Sequence, residues 1–292
     1  MWKTRRILPV IAVMAAIISL GFRVFQLLVA VDYTDMGFFY ADAGFIATWG
    51  MYLILLITAV LLIIVSIIDK RSGNEAYTRP AASLTPKQTG FLGAAFLLGA
   101  CLRLYRLIFN FSFNFKSFEL GFVGEALMFV LFTLIGFLIL GSRKLKPVVG
   151  YLHIVICISC TLNAAALFMQ DTIITRVSDE LLLLLSYVGS VLFFLALGRF
   201  ISGTESKLTR FKLFIFGGLT AALSFCASLA GYIALIVDAD YIGKHMAMHP
   251  LSETGTGLIA LVAIFAVYGK DSLPIEIEPE SIEIEDGFEL HP

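Results

Sequence analysis

Four charged side chains, Arg23, Arg103, Arg106 and Glu125, fall inside long apolar stretches of this 292-residue chain. Charge inside a membrane segment is expensive and usually carries a function. At about 1.5 Å per helical residue, Arg23 and Arg106 come to about 24 Å from the inner ends of their stretches, and Arg103 to about 20 Å. Glu125, counted from the other end, lies about 6–8 Å below the outer surface, at the same level. Arg103, Arg106 and Asn110 recur at i, i+3 and i+7, which is one helix face. Gln26 lies one turn from Arg23, and Asn163 of a later stretch falls near the same depth. Guanidinium groups match oxyanions and carboxylates. Arg23, Gln26, Arg103, Arg106, Asn110, Glu125 and Asn163 therefore form a candidate ligand-binding cluster. It would be an outward-facing polar pocket with surplus positive charge, Glu125 pairing one arginine, and would suit an anionic small molecule or lipid headgroup. A simpler reading stands beside it, in which each arginine snorkels separately to the outer interface, about 6–10 Å away.

Other residues carry weaker chemical signals. His153, Cys157 and Cys160 fall at i, i+4 and i+7 on one stripe, and imidazole with thiolate suits zinc or copper. In apolar surroundings, however, a thiol resists ionisation, and helix packing accounts for the same stripe. His245 and His249, four apart in the loop 238–253 beside Met246, Met248, Asp238 and Asp240, are candidate ligands for extracytoplasmic metal. A solvated loop is the alternative. Phe111, Phe113 and Phe115 alternate with polar residues, as an extended interfacial segment would. The segment Ile275-Glu-Ile-Glu-Pro-Glu-Ser-Ile-Glu-Ile-Glu-Asp286 alternates too. Its charge favours a solvated, disordered tail, while Ile277 and Ile284 are candidate anchors for docking on a cytoplasmic partner's sheet edge.

Catalytic signatures are missing from the sequence. It contains no Walker loop, Rossmann glycine fingerprint, G-x-S-x-G or H-E-x-x-H. The expectation is a non-enzymatic protein without a cofactor.

The elements that must position these residues are membrane helices. Hydrophobic residues make up 59% and charged residues 15%, with a mean hydropathy of +0.91, against about 45–50% and about 25% in soluble domains. This excludes an ordinary soluble enzyme and a nucleic-acid binder. Eight stretches, about 7–31, 45–68, 90–109, 121–141, 148–169, 181–198, 213–237 and 254–269, approach the roughly 20 residues that cross a bilayer. In lipid the backbone must satisfy itself, so each is read as a helix. The fold class is an all-α, polytopic bundle of eight helices in four in–out–in hairpins. Residues 1–270 form the transmembrane domain and 271–292 an acidic cytoplasmic tail. The net charge is −1, and the tail's eight acids leave +7 on residues 1–270. The first stretch lacks a cleavage site and reads as a retained span. With the N-terminus inside, inner segments hold fifteen Lys and Arg and outer loops three. The positive-inside rule then puts both termini in the cytoplasm of a cell-membrane protein. The acids of the outer segments include Asp32, Asp171, Asp238 and Glu253.

The octapeptide Asp32-Tyr-Thr-Asp-Met-Gly-Phe-Phe39, after a helix carrying Arg23 and Gln26, resembles a turn found in multi-pass membrane proteins of clostridial-type bacteria. The segment Leu185–Arg199 is similar to the same proteins. That family has no assigned activity, so the resemblance implies a bacterial multi-pass membrane class. The functional expectation is a sensing, binding or scaffold component; the alternative is a transporter or permease for a small, possibly anionic, solute.

Overall fold

The computed structural model describes residues 2–32, 38–39, 44–71, 84–109, 120–141, 146–170, 177–204, 208–237 and 251–268. They form an all-α bundle of α1 (Trp2–Val29), α2 (Phe45–Arg71), α3 (Pro86–Phe109), α4 (Leu120–Gly141), α5 (Lys146–Gln170), α6 (Val177–Ser202), α7 (Thr209–Ser224), α8 (Ala230–Val237) and α9 (Ser252–Tyr268). A π-helical turn, Phe225–Leu229, fuses α7 and α8 into one rod, Thr209–Val237. After α1, a minimal antiparallel ribbon pairs β1 (Val31–Asp32) with β2 (Phe38–Phe39).

Seven of these rods are long and apolar enough to cross a membrane, which makes the chain a multi-pass membrane protein by helix composition. The expected eighth stretch differs. Helix α9 has 17 residues, about 26 Å at 1.5 Å per residue, short of the roughly 30 Å hydrocarbon layer.

Local chemistry sets two starts that the hydropathy pattern misses. Helix α3 begins at Pro86 and not near residue 90, because Thr85 and Gln88 form a reciprocal cap: Thr85 N donates to Gln88 Oε1 (2.8 Å) and Gln88 N to Thr85 Oγ1 (3.3 Å). Pro86 takes the first helical position, where a missing N–H costs little. Helix α1 begins at Trp2, so Pro9 lies two turns inside the helix and not at its start.

Packing follows composition. Helix α2 buries 28% of its apolar window, against 67% for the α7–α8 rod. Ile57, Leu56 and Trp49 of α2 point outward, where acyl chains would cover them. The short α9 is the most enclosed element and packs on α3, α7, α1 and the π-turn. Its small residues permit this. A Cβ on Gly255 would stand 2.6 Å from the Gly99 Cα of α3, so the two backbones come this close because residue 255 carries no side chain. The far end of α9 is fixed where Tyr268 OH donates to the Arg210 carbonyl at the start of α7 (3.0 Å). An aromatic cluster of Phe96, Phe132, Phe194 and His153 fills the centre, with Phe96 edge-on to Phe132 at 5.5 Å.

Candidate functional site: a buried four-charge network

Helices α3, α4 and α9 each bring charge to one level of the bundle. Arg103 stands six residues before the end of α3, about 9 Å along its axis. Glu125 stands five residues into α4, about 8 Å from its start. Arg103 donates through Nη1 to Glu125 Oε2 (2.7 Å) and through Nη2 to Glu253 Oε1 (3.0 Å) and Thr256 Oγ1 (2.8 Å). Arg106, one turn on, donates through Nη1 to Glu125 Oε1 (2.6 Å), Tyr187 OH (3.4 Å) and Ser252 Oγ (3.3 Å). Asn163 of α5 adds a third donor to Glu125, at 3.3 Å. This contact depends on glycine, because a Cβ on Gly124 would lie 1.9 Å from Asn163 Oδ1. Below the network, the Arg103 guanidinium sits 5.0 Å from the Phe132 ring centroid, so the aromatic cluster is its floor.

Burial is nearly complete. The side chains of Arg103 and Glu253 are 0% exposed and Glu125 is 1% exposed, whereas Arg106 keeps 18%. A buried charge is tolerated only when paired and hydrogen-bonded. Among the described residues two arginines face two glutamates, so these four charges sum to zero.

This geometry corrects three expectations. Glu253 is not an outer-loop acid: it lies in the first turn of α9, within the core. Among the described residues the α3 arginines therefore carry no surplus positive charge, because Glu253 supplies a second anion. Arg103 does not snorkel, since its head group is held between two carboxylates inside the bundle.

Arg23 occupies a different place from the one expected. It is fully buried, but it donates to Gln26 of its own helix, and Gln26 Nε2 donates to the Ala47 carbonyl at the start of α2 (2.9 Å). Arg103, Arg106, Glu125 and Asn163 are thus brought together, while Arg23 and Gln26 are held on the α1–α2 side. Asn110, His245, His249, Ile277 and Ile284 lie outside the described residues, as do the Phe111–Phe115 segment and the acidic tail.

Sequence reasoning missed Glu253, Thr256, Tyr187 and Ser252. The available signal was the run Ser252-Glu-Thr-Gly-Thr-Gly257, in which an acid directly precedes glycines that allow close helix approach.

The stripe of His153, Cys157 and Cys160 is dispersed among different neighbours. His153 Nδ1 donates to the Val149 carbonyl (2.7 Å) and its ring packs against Phe96. Cys157 donates to the Val191 carbonyl of α6 (3.4 Å), and Cys160 faces Met128 Sδ of α4 (3.9 Å). Among the described residues no group of three or more His, Cys, Asp or Glu is placed to hold a metal ion.

No protein-family model matches the chain, and no curated protein or solved structure matches it either.

Proposed function

We propose that the chain is a non-enzymatic cell-membrane protein that binds an oxyanion group, on a small solute or a lipid headgroup, at the outer end of its bundle through Arg106. Both termini are cytoplasmic, and eight helices cross the bilayer. The excess of Lys and Arg in alternate segments supports this orientation. The eighth crossing is supported by the ends of α9, which runs from the level of Arg103 to the start of α7. It can be short because it begins inside the bundle.

One observation carries the binding role: of the four charges, Arg106 alone keeps appreciable exposure. Its guanidinium is anchored to Glu125 and Tyr187 and lies one turn from the end of α3. Planar, multi-donor guanidinium is the group that best recognises carboxylate and phosphate. Occupancy at this level would act on α3, α4, α6 and α9 together, which suits sensing or scaffolding coupled to a cytoplasmic partner through the acidic tail.

A second reading, transport of the same anion, is favoured by the irregularity beside the site. The π-turn Phe225–Leu229 packs against α9, and such turns often mark functional positions in helices.

The test is binding by the purified full chain in nanodiscs. Acetate and inorganic phosphate serve as soluble probes, and phosphatidylglycerol against phosphatidylcholine discs report a headgroup. Arg106→Gln is expected to weaken whichever anion binds by about tenfold or more. Equal affinity in wild type and Arg106→Gln would refute the proposal. Uptake of labelled acetate or phosphate into proteoliposomes separates transport from binding.

A further inference from the structure

The two buried carboxylates are unequally supported. Glu125 accepts from Arg103, Arg106 and Asn163, so both of its oxygens are occupied by donors. Glu253 accepts from Arg103 at Oε1, while its Oε2 is buried and has no hydrogen-bond partner among the described residues. Among the described residues, the groups facing Glu253 from the packed elements are Arg103 and Arg106 of α3, Glu125 of α4, Cys160 of α5 and Tyr187 of α6. From α1, Arg23 is turned to Gln26. On the rod α7–α8, Ser228 is bonded to Thr254 at 2.8 Å, the Cys226 thiol is buried in the same π-turn, and Tyr232 stands near Arg106.

The charge count then matters. With all four groups ionised the described charges cancel, so an arriving anion would leave them with a net negative charge in a desolvated site, which is costly. A proton restores the balance, and the carboxylate oxygen without a donor is where it costs least to place one. We propose that Glu253 Oε2 is a reversible proton-binding site, and that a proton from the aqueous phase bonds there whenever the network takes up an anion. The coupling rests on the binding role of Arg106; the proton site itself does not. With the proton in place Glu253 is neutral, Arg103 keeps Glu125, and the site holds two cations, one carboxylate and the incoming anion.

The proton site is tested without a ligand. Infrared difference spectra of the purified full chain in phosphatidylcholine nanodiscs are recorded as the pH falls from about 8 to about 5, the range below which exposed carboxylates protonate. A buried carboxylic-acid C=O band is expected in wild type, and is expected to be missing in Glu253→Gln. If Glu253→Gln does not fold, Glu253→Asp serves, and the band must change frequency. No band in wild type, or a band unchanged by substitution at Glu253, overturns the proposal. In the second arm, acetate affinity in wild type should rise about tenfold per pH unit of acidification, the slope for one linked proton, and lose that slope in Glu253→Gln. Acetate binding with no pH slope overturns the coupling. The Glu253 band without acetate binding supports the proton site and refutes the role of Arg106 in acetate binding.

Discussion

Replacing Glu125 with Gln preserves shape but removes the anion that Arg103 and Arg106 share. The structure gives the consequence group by group. Bonds of 2.7 Å from Arg103, 2.6 Å from Arg106 and 3.3 Å from Asn163 lose their ionic acceptor, and the four-charge sum moves from zero to +1. Breaking a buried ion pair by removing one partner costs about 3–5 kcal/mol, because the other charge is left desolvated. Arg103 is cushioned, since Glu253 still faces its Nη2 at 3.0 Å. Arg106 keeps Tyr187 and Ser252, which are neutral. Adding Arg106→Gln to Glu125→Gln therefore returns the network to one cation and one anion already in contact. The coupling energy should be largest with Arg106, about 2–3 kcal/mol, and smaller with Arg103, about 1–2 kcal/mol. With Arg23 it should fall below about 0.5 kcal/mol, the level of independent sites. Equilibrium unfolding in mixed micelles, run on the single and double variants, measures all three cycles. Coupling to Arg23 as large as to Arg106, or no coupling to either α3 arginine, would refute this account of the network.

Glycine positions give a second expectation. Gly124→Ala drives a Cβ to 1.9 Å from Asn163 Oδ1 and should cost about 1–3 kcal/mol as overpacking. Asn163→Ala added to it should recover part of that loss in the same assay, and no recovery would mean the clash lies elsewhere. Topology is checked by a reporter fused after Lys270, expected to be active only in a cytoplasm-sensitive form; activity only outside the cell would reverse the orientation.

How much was legible from sequence depended on how far each property reaches along the chain. Membrane class and helical state are properties of contiguous residues. A run such as Leu120–Gly141 has to become a helix in lipid wherever it sits, because its own backbone is its only source of partners. Depth is local too: constant rise per residue levels Arg103 with Glu125 before any packing is known, and the i, i+3 spacing puts Arg106 beside Arg103. The membership of Glu253, by contrast, depends on Gly99 and Gly255 touching across 156 positions of chain, which lets α9 begin at the depth of the arginines and not at the bundle's end. Hydropathy averages over a window and cannot see that contact, so Glu253 read as a loop acid and the cluster as positively charged. Arg23 fails in the opposite direction. Depth is one coordinate, and the direction in which α1 turns is set by its packing on α2, α7 and α8. The rise of a helix fixes the height of a side chain, whereas the packing of the bundle decides which charges meet.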